Sequence, residues 1–202
     1  MPQPVFVFDL GGVLIDWNPR YLYRKLFADE AEMEYFLNHV CTPEWNLAQD
    51  AGRSFAEGTR LLIAQFPHYE AEIRAYDERW EEMIRGAIDG SVGILQTLHK
   101  KGYALYALTN WSTEKFPVAQ RKFPFLALFR QIIVSGEEKC IKPDPQLYRL
   151  MLDRIGHTAK ECIFIDDNLE NVITAQQLGF QAIHFQSPAQ LREALCALKI
   201  EL

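Results

Sequence analysis

The sequence predicts an α/β fold, a doubly wound parallel sheet with an inserted all-helical subdomain. Three observations predict it. Five short runs rich in β-branched and aromatic residues are spread along the 202 residues. Helical patterns separate the last four runs, as parallel strands covered on both faces require. The long interval after the first run has helical periodicity and no convincing strand, and a structureless loop of that length would not suit a compact domain.

In chain order, Val5–Phe8 is the first expected strand and ends on Asp9. Pro19–Phe27, Ala31–Val40, Phe55–Phe66 and Tyr69–Ile84 then read as successive helices, with breaks at Thr42-Pro43, Gly52 and Pro67. Next come a helix at Gly93–Lys101 and strands at Tyr103–Leu108 and Gln131–Val134. The pattern closes with helix Pro145–Ile155, strand Cys162–Ile165, helix Leu169–Leu178 and strand Gln181–Phe185. The expected division is a core of residues 1–16 and 89–202, interrupted by a helical unit over 17–88. Such a sheet binds ligands at the carboxyl ends of its strands, near the switch in strand order.

Composition narrows the partners. A net charge of −6 with no basic stripe argues against nucleic acid and against an anionic membrane surface. Cys41, Cys140, Cys162 and Cys196 show no CxxC or zinc spacing, so they are expected as small buried residues in a reducing, cytoplasmic setting. No leader pattern or membrane-length apolar run is present, and a monomer or homodimer is expected.

Three expected strands end in polar residues: Asp9, then Thr109-Asn110 after "YALYAL", then Asp166-Asp167-Asn168 after "CIFI". "CIKPDP" sets Lys142 ahead of a helix. Taken singly, each is also what a helix start needs, because Asp, Thr and Asn cap free N–H groups. In a doubly wound sheet, however, all these strand ends converge on one edge. Asp166 and Asp167 repel each other unless a cation compensates, and with Asp9 they form an all-oxygen set suited to Mg²⁺. Lys142 would neutralise phosphate charge and Thr109 would donate to a phosphoryl oxygen.

The ordered set "FDLGGVL", "ALTN", "IKPDP" and "FIDDN" resembles the four motifs of the haloacid dehalogenase superfamily, over about Val5 to Phe185. The helical insert resembles the cap of its subfamily I. The resemblance implies a Rossmann-like core and a hydrolase in which Asp9 is the nucleophile that forms an aspartyl-phosphate. It assigns phosphate binding to Thr109, with Asn110 beside it, and a catalytic and substrate-binding role to Lys142. Asp9, Asp166, Asp167 and the main-chain carbonyl of Gly11 would hold Mg²⁺. Asn171 falls where some members carry a further aspartate.

Gly11 departs from the phosphatase pattern, which has an aspartate there as general acid and base. Such proton transfer contributes typically ~10²–10⁴-fold in rate. The implied function is a Mg²⁺-dependent phosphatase of a small phosphorylated metabolite, with a sugar phosphate favoured because sugar-phosphatase-like members also read Asp-Leu-Gly. Two alternatives stand beside it: a metal-independent 2-haloacid dehalogenase in which Asp9 attacks carbon, and a non-catalytic phosphometabolite-binding module. The retained pair Asp166-Asp167 favours the phosphatase, because it would repel an anionic haloacid. A substitute acid is expected from Asp16 or from the helical unit.

Several residues have two readings. Asp16 and Asn18 either meet substrate or cap a helix that begins at Pro19, and Trp17 and Arg20 share the stretch. Trp111 either walls a pocket or packs. Arg53 could reach substrate, although Ser54 and Glu57 three residues on read as a capping box. In "EAEIRAYDERWEEM", Tyr76, Trp80 and Met83 are expected to face inward.

Overall fold

The computed structural model describes residues 3–202. Among the described residues seven strands form: β1 (Val5–Phe8), β2 (Ile15–Trp17), β3 (Ile84–Ala87), β4 (Leu105–Thr109), β5 (Gln131–Val134), β6 (Cys162–Asp166) and β7 (Gln181–His184). Five of them build one parallel sheet in the order β5-β4-β1-β6-β7. The chain runs from β1 outward through β4 and β5, then crosses back to β6 and β7. The switch in strand order therefore lies beside β1, and the crevice it opens is at the end of β1 that carries Asp9.

The central strands are buried throughout, which explains their nearly unbroken apolar sequences. Alternate residues of β1 serve opposite faces. Phe6 and Phe8 belong to the larger core, whereas Val5 and Val7 pack with Tyr148, Met151, Phe164 and Phe180. The Phe164 ring stands edge-on to Tyr148 and Phe180, at centroid distances of 5.5 and 6.0 Å.

Helices α1 (Arg20–Tyr23), α2 (Glu30–His39), α3 (Pro43–Asp50), α4 (Phe55–Gln65) and α5 (Glu70–Glu78) lie between β2 and β3. Their starts have chemical causes. Asp29, Thr42 and Ser54 each accept a hydrogen bond from the backbone N–H three residues on, and Pro43 occupies the first turn of α3. Tyr23, Phe36, Phe55 and Tyr76 form an aromatic centre for these helices, with Tyr23 and Phe36 rings 4.9 Å apart.

The expectation of no strand in this interval is corrected. β2 and β3 form a two-stranded antiparallel ribbon from which the helices project. The two strands are three and four residues long and pair across a long sequence separation, so neither shows enough alternation to be read alone. The single helix expected over Tyr69–Ile84 also breaks: α5 ends at Glu78, Trp80–Met83 is a 3₁₀ turn and Ile84 enters β3. Its inward residues are as expected, with Tyr76, Trp80 and Met83 buried. α3 occupies a segment read as a break, because Thr42-Pro43 starts a helix there rather than ending one.

The remaining helices are α6 (Asp89–Lys100), α7 (Phe116–Lys122), α8 (Ser135–Glu138), α9 (Pro145–Ile155), α10 (Leu169–Gln177) and α11 (Pro188–Ala197). Asp144, Asn168 and Ser187 cap α9, α10 and α11. No helix among the described residues is long and apolar enough to cross a membrane. Cys41 and Cys162 are buried, but Cys196 is exposed on α11, against the expectation that all four cysteines are buried.

The inserted helices are fastened to the loop beyond β4 and to the start of α8 beyond β5. The Ser135 hydroxyl donates to the Asp50 carbonyl at 2.6 Å and accepts from the Trp111 N–H at 3.0 Å. Glu114 accepts from the Phe55 N–H at 3.1 Å, and Lys115 pairs with Asp77. Trp80 packs on Trp111 with centroids 5.6 Å apart.

Candidate active site

The parallel sheet brings the polar strand ends together. Asp9 follows β1, Thr109 closes β4 and Asp166 closes β6, and these three strands are neighbours. Lys142 reaches in from the loop before α9. Its ammonium lies 3.0 Å from Asp9 Oδ2 and 2.7 Å from Asp166 Oδ2, with its side chain wholly buried.

Each group is held from behind. Asp9 Oδ1 accepts from the Leu10 N–H at 2.7 Å. Asp166 accepts from the Asn168 N–H at 2.8 Å and from the Asn171 amide at 3.0 and 3.1 Å. Asn171 thus orients a site carboxylate. Asn110 grips the backbone of Lys142: its Nδ2 donates to the Lys142 carbonyl at 2.9 Å and its Oδ1 accepts from the Lys142 N–H at 2.8 Å. Its amide therefore positions the lysine, although the residue also lines the adjoining pocket. The Thr109 hydroxyl is buried with no protein partner.

Electrostatics follow from crowding. Burial pushes the Asp9 pKa up to about 7; Lys142 draws it down while Asp166 and Asp167 push it up again. Burial works against the charge on Lys142, but Asp166 and Asp9 outweigh it and hold the ammonium above the ordinary lysine value. Burial and the Asp166 charge also raise Asp167. Oxygens of Asp9, Asp166 and Asp167 lie within 4.8 Å of one another. Three carboxylates that share one lysine leave negative charge uncompensated, and their all-oxygen donor set fits a hard divalent cation.

Gly11 and Gly12 differ in what they tolerate. A Cβ on Gly11 would meet nothing within 4 Å. Gly12 has φ +72°, and a Cβ there would stand 2.1 Å from Asp167 Oδ2. Asp167 is exposed as a residue, yet its carboxylate is tucked against this glycine. Gly12→Ala is expected to cost ~1–3 kcal/mol from backbone strain, with the displacement of Asp167 in addition. Thermal unfolding measures it; a melting temperature equal to that of the parent would show that the turn tolerates a side chain.

A pocket of about 70 Å³ opens beside Gly11, two residues after Asp9, and beside Asn110, next to Thr109; its wall also includes Trp17, Trp111, Asn46 and Asp50. The indole N–H groups of Trp17 and Trp111 are buried without partners. Trp111 therefore both walls the pocket and packs against Trp80 and Phe116. A larger cavity of about 480 Å³ shares Trp17, Asn46 and Asp50 with it, and Asn38 of α2, Asn18 before α1 and Asn168 before α10 add amides to its wall.

The other residues with two readings resolve structurally. Asn18 Oδ1 accepts from the Arg20 N–H at 2.9 Å, and Asp16 accepts from the Tyr21 hydroxyl at 2.8 Å. Arg20 pairs with Glu34 at 2.5 Å. Arg53, just past α3, is occupied against it, donating to Gln49 Oε1 at 2.6 Å and to the Trp45 carbonyl at 3.1 Å, while Ser54 caps α4.

The family model of the haloacid dehalogenase-like hydrolases matches residues 4–179. The chain belongs to that family. Among its curated relatives, the sesquiterpene phosphatase astK of Aspergillus oryzae is 28% identical, over 88% of this chain and 87% of the relative. Hexitol phosphatase A of Escherichia coli is 28% identical over 91% and 83%. A HAD family enzyme of Bacteroides thetaiotaomicron, solved with magnesium and inorganic phosphate, superposes with a TM-score of 0.70 at 25% identity, covering 92% of this chain and 95% of that one.

Within this hydrolase, Asp9, Thr109, Lys142, Asp166 and Asp167 lie together at one sheet edge. Asp50, Asn46 and Trp17 complete the pocket wall and were not singled out together by the motif pattern. Asn46, Gln49 and Asp50 share a face of α3 at i, i+3 and i+4, a polar stripe that gives a sequence signal but not its direction.

Proposed function

We propose that this hydrolase is a Mg²⁺-dependent phosphatase of a small phosphorylated metabolite, a sugar phosphate by preference. The observation that carries the reading is the cluster of Asp9, Asp166 and Asp167 around one buried lysine at the sheet's switch point. That charge balance suits a divalent cation and a phosphoryl group. Asp9, Asp166, Asp167 and the Gly11 carbonyl would hold Mg²⁺, which when bound neutralises negative charge on the phosphoryl oxygens.

The chain's own groups then divide the work. Asp9 Oδ attacks phosphorus, the ester oxygen leaves as alcohol, and water hydrolyses the aspartyl-phosphate. Lys142 supplies fixed positive charge to the equatorial oxygens and keeps Asp9 oriented. The Thr109 hydroxyl, without a protein partner, donates to a phosphoryl oxygen. Residues 17–88 act as a cap that excludes bulk water and selects the substrate. The amide-rich cavity beside Trp17 favours a hydroxylated body, since Asn side chains both donate and accept hydrogen bonds.

Phosphate and halide release over matched substrate panels, with Mg²⁺ and with EDTA, test this. Mg²⁺-dependent phosphate release from sugar phosphates is the expected result. EDTA-resistant halide release from 2-haloacids would replace it with dehalogenation. Binding of phosphometabolites without turnover would mark a binding module.

A further inference from the structure

One buried carboxyl on the pocket wall has no role in the chemistry described above. Asp50 ends α3 and is 8% exposed. Its Oδ2 accepts from the Asn46 amide at 3.0 Å, and no basic side chain pairs with it among the described residues. Burial pushes its pKa up to about 7, with the Ser112 backbone N–H pulling the other way. The carboxyl is therefore available in both protonation states near neutral pH.

Asp50 shares its pocket with Gly11, the position that carries no side chain and meets open space. Asp16 does not line this pocket, and its carboxylate is taken by the Tyr21 hydroxyl. The remaining lining side chains are tryptophan, asparagine and serine, none of which exchanges a proton at neutral pH.

We propose that Asp50 is the catalytic acid and base of the reaction, supplying from the inserted helices the proton that position 11 cannot. The assignment rests on the phosphatase reading. As the Asp9 Oδ–P bond forms and the ester P–O bond breaks, the Asp50 carboxylic acid gives its proton to the departing ester oxygen, which leaves as a neutral alcohol. The resulting carboxylate then takes a proton from the water that attacks the aspartyl-phosphate. Inorganic phosphate departs, and Asp9 and protonated Asp50 are regenerated.

The main-chain carbonyl of Asp50 accepts from Ser135, so the backbone that carries this carboxyl is tied to the start of α8, directly after β5. Proton donation is thereby coupled to the docked position of the inserted helices.

Leaving-group dependence tests the assignment, with Mg²⁺ present throughout. Asp50→Asn is expected to slow turnover of a hexose 6-phosphate by ~10²–10⁴-fold. With p-nitrophenyl phosphate, whose leaving group needs no proton, the same variant is expected to give a burst of one p-nitrophenol per site and then slow turnover, since water activation is also lost. Acid quenching during the slow phase should show the phosphoryl group retained on the protein. Gly11→Asp added to Asp50→Asn should recover part of the hexose-phosphate rate, because the space at position 11 is open.

Asn46→Ala leaves the carboxyl in place but removes its side-chain partner, and serves if Asp50→Asn unfolds. It should slow the hexose phosphate more than the aryl ester. Equal slowing of both substrates without a burst, or parental rates in Asp50→Asn, would overturn the role of Asp50 alone. Absence of phosphate release by the parent from either substrate would overturn the phosphatase reading, and the role of Asp50 with it.

Discussion

Asp9→Asn is expected to lower phosphate release by about 10⁴–10⁶-fold, the range lost when a covalent nucleophile or its partner is removed from other enzymes. The amide is isosteric and keeps an oxygen to accept from the Leu10 N–H, so the turn after β1 is preserved. One negative charge leaves a crowded cluster, and Lys142 keeps Asp166 as a partner at 2.7 Å. The fold should therefore survive with little change in melting temperature, which separates lost chemistry from lost structure. Steady-state phosphate release with thermal unfolding on the same sample checks it. Residual activity within tenfold of the parent would require a different nucleophile.

Lys142→Met is expected to produce the largest loss of stability. The lysine is buried and contacts two carboxylates, and its ammonium lies 5.8 Å from the Phe164 ring centroid. Methionine fills similar space but leaves Asp9 and Asp166 facing each other without a cation. Breaking a buried pair by removing one partner costs ~3–5 kcal/mol. In a domain of this size that lowers the melting temperature by roughly 6–20 °C. Mg²⁺ should raise the melting temperature of this variant, since a bound cation restores part of the missing positive charge. An unchanged melting temperature would mean that the carboxylates become protonated at little cost, and that Lys142 does not govern the site's charge balance.

The core was legible because its central strands β1, β4 and β6 are buried on both faces. Val5–Phe8 and Cys162–Ile165 read as strands since no alternation is needed when both sides are apolar. Their ends converge for a topological reason, so the sequence alone groups Asp9, Thr109 and Asp166. The ribbon of β2 and β3 was not legible. Its strands are short, half-buried and far apart in sequence, and only pairing makes them strands.

Site residues on the inserted helices were harder for a different reason. Asp50 lies in a stretch where Arg53 is the more conspicuous side chain, yet Arg53, in the link between α3 and α4, folds back onto Gln49 and Trp45 of α3 while Asp50 lines the pocket. Helical periodicity groups Asn46 with Asp50, but cannot tell whether that face meets solvent or a neighbouring loop. Asn110 shows the same limit. Its place after β4 pointed to the pocket, which it lines, but not to the grip of its side-chain amide on the backbone of Lys142.

The central claim is phosphoryl transfer through Asp9. Mass spectrometry of protein quenched in acid during turnover of a sugar phosphate, followed by peptide mapping, tests it most directly. The account predicts a phosphoryl group on the peptide containing Asp9 when Mg²⁺ is present and none when EDTA replaces it. Phosphate accumulation with the phosphoryl group on another residue, or an ester of the Asp9 carboxylate to substrate carbon, would contradict it.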